Sequence, residues 1–112
     1  MNTNWILIAV VLALGVFLWW RSRPELDSER AHALVADGAT LLDVRTPGEY
    51  SGGHLEGAVN IPVQQLAQRL AEVPKGRPVV VYCASGARSS SAAGQLRNAG
   101  YEAFNLGGMG NW

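Results

Sequence analysis

Residues 5–20 read WILIAVVLALGVFLWW, sixteen consecutive positions without a charge or a proline. No other feature restricts the chain so strongly, because a run like this must be kept from water by something. As a helix it extends about 24 Å, a little short of a hydrocarbon core of about 30 Å. Thr3 and Asn4 before it, and snorkelling by Arg21 after it, extend that reach. Trp5 at one end and Trp19 and Trp20 at the other suit the aromatic belts of a bilayer. A cleaved signal peptide wants a basic leader and a small-x-small exit. Here the leader is Asn2-Thr3-Asn4 and the exit is Trp19-Trp20-Arg21-Ser22-Arg23-Pro24. An interfacial helix needs a polar face, and a buried helix this pure does not suit so small a domain. The expectation is a retained transmembrane helix over 5–20, with residues 1–4 a short tail and membrane lipid as its partner. Arg21, Arg23 and Arg30 follow the run and no basic residue precedes it. The positive-inside bias then gives a single-pass protein of the inner (cell) membrane with its remaining chain in the cytoplasm.

Residues 21–26 read as a polar linker, and 27–112 leave room for one domain. With 48 % apolar and 16 % charged residues, disorder is excluded. Nine Lys+Arg balance nine Asp+Glu without a basic run, so nucleic acid is not an expected partner. Cys83 is the single cysteine, which rules out an intrachain disulfide and a four-cysteine zinc site. Neither a metal nor a cofactor is expected.

Beyond the linker, helical and extended patterns alternate. Asp27 or Ser28 caps a helix through Ala36, and Asp37-Gly38 stops it. Leu41–Val44 has strand character, and Thr46-Pro-Gly-Glu49 is a capping box with proline at the first helical position. Ala58–Ile61 is a second short strand. Val63, Leu66, Leu70 and Val73 form one stripe of a helix over 63–73. Pro78-Val-Val-Val-Tyr-Cys83 reads as a central strand buried on both faces. A helix over 89–99 and a strand over 101–106 complete the pattern. Repeated βα units imply an α/β fold with a central parallel sheet flanked by helices, and ligands of such sheets bind beyond the carboxyl ends of the strands.

Cys83 stands at one of those ends, opening the loop Cys83-Ala84-Ser85-Gly86-Ala87-Arg88-Ser89. Loop amides ahead of a helix form a nest of donors that stabilises a thiolate. Small side chains let the backbone wrap a ligand at the sulfur, and Arg88 offers a planar fork to an oxyanion. The bland alternative is a buried cysteine, an ordinary turn and a helix cap at Ser89.

Four blocks resemble the rhodanese-like sulfurtransferase family. They are Leu41-Leu-Asp-Val-Arg-Thr-Pro-Gly-Glu-Tyr50, Gly53-His-Leu-Glu-Gly-Ala-Val-Asn-Ile-Pro62, Val80-Val-Tyr-Cys-Ala-Ser-Gly-Ala-Arg-Ser89 and Leu106-Gly-Gly-Met-Gly-Asn-Trp112. The resemblance implies the rhodanese fold and a catalytic Cys83 that carries sulfane sulfur as a persulfide. The donor would be a small molecule such as thiosulfate, and the acceptor cyanide, a small thiol or a protein thiol. The loop amides and Arg88 would stabilise the persulfide and the departing anion. Inactive relatives serve as binding modules, and phosphatases or arsenate reductases of this fold are a further alternative. The phosphatases have one more residue between cysteine and arginine, whereas four residues separate Cys83 from Arg88.

Asp43 and Arg45 match the family's Asp-Val-Arg motif and read as supporting charges that pair or hold loop backbone. Glu49 could reach Arg45 or Arg88, or neither. His54 invites a Cys–His pairing, yet its Gly-His-x-x-Gly-Ala setting suggests a histidine that satisfies backbone groups. His32 reads as solvated and Trp112 as a core residue.

Overall fold

In the computed structural model, residues 4–112 are described, the side chains of residues 21 and 22 apart. The organising strand is β3 (Val79–Cys83), all five residues of which are buried. It lies between β1 (Thr40–Asp43) and β4 (Ala103–Gly108), and β1 pairs on its far side with β2 (Val59–Asn60). The order is β2-β1-β3-β4 and every pairing is parallel. Because side chains alternate along a strand, β3 feeds two cores. Val79, Val81 and Cys83 pack with Leu42, Val44, Leu66 and the α4 residues Ala92, Ala93 and Leu96, where α4 is Ala87–Asn98. Val80 and Tyr82 face the other way, against Leu41, Leu106 and Ala31 of α2 (Ser28–Ala36). Asp27 caps α2 by accepting from the Arg30 amide at 2.8 Å. Both faces of the sheet are thus covered, as its apolar strands require.

Three elements differ from the sequence reading, the last strand being β4 at Ala103–Gly108 rather than 101–106. The helix expected over 63–73 is instead a pair of 3₁₀ turns, Val63–Gln68 and Leu70–Glu72. The spacing explains the change: Val63 to Leu66 and Leu70 to Val73 are steps of three, the 3₁₀ period. The step of four between Leu66 and Leu70 is taken up by a break at Arg69, where φ is −117°. The helix expected over 89–99 begins two residues earlier, so Ala87, Arg88 and Ser89 belong to the first turn of α4 and the loop proper is residues 84–86.

The apolar run lies in α1 (Asn4–Ser22), with its large side chains from Trp5 to Trp20 exposed. Among the described residues, no helix is long and apolar enough to cross a membrane. The expected transmembrane helix, and lipid as its partner, are therefore unsupported: sixteen apolar residues make only about 24 Å of helix against a core of about 30 Å. The linker is docked rather than loose. Glu25 donates its amide to the Asn105 carbonyl at 2.8 Å and accepts from the Asn105 amide at 3.0 Å. Its carboxylate also meets Arg97 at 2.6 Å.

Candidate active site

The carboxyl ends of β1 and β3 lie side by side, with Asp43 opposite Tyr82 in the register. This brings the first block and the cysteine block together. Cys83 is fully buried, and its Sγ accepts from the Gly86 amide at 2.9 Å and from the Ser89 amide at 3.4 Å. Sγ also lies 3.4 Å from Ser89 Oγ, to which the thiol donates, while that hydroxyl donates to the Gly86 carbonyl at 3.0 Å. Burial pushes the thiol pKa up, but the Ser89 hydroxyl and the amides of Ser89, Gly86 and Ser85 outweigh it, leaving the group below the usual cysteine value. An ionised Sγ can only accept, so the Ser89 hydroxyl is then free to turn its proton to the sulfur.

Backbone conformation makes the cradle possible. Gly86 has φ +107°, a left-handed conformation that folds its own amide back onto Sγ and starts α4 without a side-chain cap. Ala84 and Ser85 are exposed above the buried sulfur. The floor is closed by β4, which slips register between Val81 and Tyr82 of its partner strand. A β-carbon on Gly108 would stand 2.9 Å from the Ala84 carbonyl oxygen, so this close approach of strand and loop needs a glycine.

Among the described residues, the Arg88 guanidinium bonds to Glu49 and not to the sulfur. Its guanidinium meets Glu49 of α3 (Pro47–Ser51), Nη1 to Oε1 at 2.7 Å and Nη2 to Oε2 at 3.1 Å. The Arg88 side-chain bond, helped by the Thr46 amide, holds the Glu49 carboxyl at about 2. Thr46 and Glu49 form the reciprocal capping box read from the sequence.

Asp43 and Arg45 pair with each other beside the carboxyl end of β3. Arg45 Nη2 donates to Asp43 Oδ2 at 2.7 Å and to the Gly53 carbonyl at 2.7 Å. Tyr82 donates its hydroxyl to Asp43 Oδ2 at 2.8 Å and accepts from the Leu55 amide at 3.1 Å. Desolvation foremost pushes the Tyr82 phenol up to about 12, so it stays a donor. This network ties residues 53–55 to the strand that carries Cys83. His54 stacks on Tyr50 with ring centroids 3.7 Å apart, and its Nδ1 lies 2.9 Å from the Tyr50 carbonyl. His32 is likewise engaged, its ring 3.7 Å from that of Trp112, which is half-buried. Tyr82 and Gly108 were missed as site residues by sequence reasoning, whereas Glu49 was read with Arg45 and Arg88 as its possible partners and pairs with Arg88. The capping box was the available signal for Glu49, since it fixes where that carboxylate stands. A cavity of about 330 Å³ lined by Lys75, Arg77, Tyr101 and Glu102 lies at the amino ends of β3 and β4, away from Cys83.

Comparison with known proteins agrees with this architecture. Residues 27–112 match the model of the rhodanese-like domain. The chain belongs to the rhodanese-like family. It is 41 % identical over 92 residues to a sulfurtransferase of Allochromatium vinosum, covering 79 % of this chain and 86 % of that protein. It is 35 % identical to the thiosulfate sulfurtransferase GlpE of Stutzerimonas stutzeri, covering 78 % of this chain and 82 % of that one. Identity reaches 49 % with the uncharacterised protein YqhL of Bacillus subtilis, over 66 % of this chain, which spans 60 % of that relative's length. The structure of the human single-domain sulfurtransferase TSTD1 superposes with a TM-score of 0.64 at 31 % identity, over 77 % of this chain and 90 % of that one.

Proposed function

We propose that this chain is a sulfurtransferase that carries sulfane sulfur on Cys83. The observation that supports it most is the setting of Sγ, which accepts two backbone amides at the carboxyl end of the central strand and is held below the usual cysteine pKa. Such a thiolate attacks the outer sulfur of a donor. With thiosulfate, the Sγ–S bond forms as the S–S bond of the donor breaks: Cys–S⁻ plus S–SO₃²⁻ gives Cys–S–S⁻ plus SO₃²⁻. Cyanide or a thiolate then takes the outer sulfur and returns the cysteine thiolate, so turnover is ping-pong. The amides that receive Sγ also favour the anionic persulfide. Sulfurtransferases among the relatives support the same reading. The retained cysteine speaks against a binding module, and the four-residue gap to Arg88 against a phosphatase.

Mass spectrometry of the purified protein after thiosulfate tests the proposal. A gain of one sulfur on Cys83, lost on adding cyanide and absent from Cys83→Ser, is the expected result. An unmodified Cys83 with every sulfane-sulfur donor overturns it.

We also propose that α1 associates with the cell membrane and that the catalytic domain lies on its cytoplasmic side. The sixteen uncharged residues, their exposed side chains and the arginines placed only after them support this reading.

A further inference from the structure

Arg88 is the cation best placed by sequence to meet a departing anion, and its fork is already filled. Both members of the Arg88–Glu49 pair are about one-third exposed, at 32 % and 34 %, so the pair sits at the rim of the loop rather than beneath it. Glu49 is itself fixed from behind. The Thr46 amide donates to its Oε1 at 3.1 Å, and its own amide donates to Thr46 Oγ1 at 3.1 Å. A sulfite-like leaving group that needs both prongs of Arg88 must displace this carboxylate and leave it unpaired beside a dianion. Like charges brought together in this way oppose binding, and most strongly where the incoming charge is largest.

We propose that Glu49 is a specificity-determining residue acting through Arg88, whose carboxylate competes with the donor for the guanidinium and turns the site away from dianionic donors towards organic persulfides. This rests on the sulfur-transfer reading above. With an organic persulfide the step is Cys–S⁻ plus R–S–SH giving Cys–S–SH plus R–S⁻. One S–S bond forms, one breaks, and the leaving group carries one charge instead of two. The leaving atom is then a lone sulfur, with no pair of oxygens at the reacting end to match the arginine fork, so the Glu49 pair need not open.

The test compares the full chain with its Glu49→Gln variant, using cyanide as acceptor and three donors: thiosulfate, benzenethiosulfonate and an organic persulfide. Glutamine preserves the capping geometry and removes the charge. The expected result is a rise in kcat/KM for thiosulfate of roughly three- to fivefold, the scale of one partly exposed charge pair, carried mainly by KM. The gain is smaller for the singly charged thiosulfonate and under about twofold for the persulfide. The thiosulfate gain also shrinks as salt is added. Thr46→Ala keeps the carboxylate and the backbone bond to it but loses the hydroxyl cap, so it lowers Tm and moves the ratio between donors less than Glu49→Gln does. An equal change for all three donors, or a fall with thiosulfate, overturns the role of Glu49 while sulfur transfer stands. Failure of every donor to load Cys83 in either protein overturns the sulfur-transfer reading and this inference with it.

Discussion

Cys83 is fully buried and yet held below the ordinary cysteine pKa, two conditions that act in opposite directions on a nucleophile. Burial restricts approach to small electrophiles, while the donors around Sγ keep the reactive form populated. The rate of alkylation by a small reagent therefore reports the ionisation through its pH profile rather than through its absolute size. Ser89→Ala removes the hydroxyl beside Sγ, and the midpoint of that profile is expected to move to higher pH. Sulfur transfer in the same variant should fall about tenfold in kcat/KM, the loss of one hydrogen bond to a charged group. An unmoved midpoint would mean that Ser89 only packs there. The place of Cys83 at the carboxyl end of a buried strand was legible in the sequence, because a β-branched run giving way to small residues marks where a strand passes into a loop. The side-chain pairings around it were not. Glu49 lies 39 residues from Arg88, and its choice between Arg45 and Arg88 depends on which strand stands beside which. Tyr82 reads as a strand filler until the register sets it opposite Asp43.

At the scale of elements, the strands and their order of appearance were readable from alternation and turn residues, but the helices less so. A stripe with steps of three, four and three fits both an α-helix and two 3₁₀ turns, and only packing decides between them. The start of α4 was obscured for a different reason. Gly86 supplies its N-terminus through backbone conformation, leaving no serine or aspartate cap to mark it. The Gly107-Gly108 pair had no stated role in the sequence, since the loop it touches is 24 residues earlier. Its effect is steric. Gly108→Val places carbon against the Ala84 carbonyl, where 2.9 Å is available, and must push the loop away from β4. The expected outcome is a loss of activity out of proportion to the change in Tm, with the Cys83 alkylation profile shifted towards that of an ordinary thiol. Wild-type kinetics with a lowered Tm would show that the loop tolerates the displacement.

For the whole molecule, the exposed apolar helix and the closed α/β domain pose separate problems. The helix buries little within the chain, so its surface calls for an environment the domain does not provide. Fractionation of cells expressing the full chain is expected to place it with membranes, and a chain lacking residues 1–20 in the soluble fraction. Recovery of the full chain in the soluble fraction would refute the membrane proposal. The domain is stitched across its length: Glu25 holds Asn105 and Arg97, and Ser28 donates to the Trp112 carbonyl. Synthesis runs from one end of these contacts to the other. The oily helix therefore leaves the ribosome long before the strand that Glu25 fastens has been made, and the sheet lacks its last member until then. Folding of the domain must wait for nearly the whole chain, while the helix needs shelter at once. Whatever receives that helix does so while the part that bears Cys83 is still unfolded.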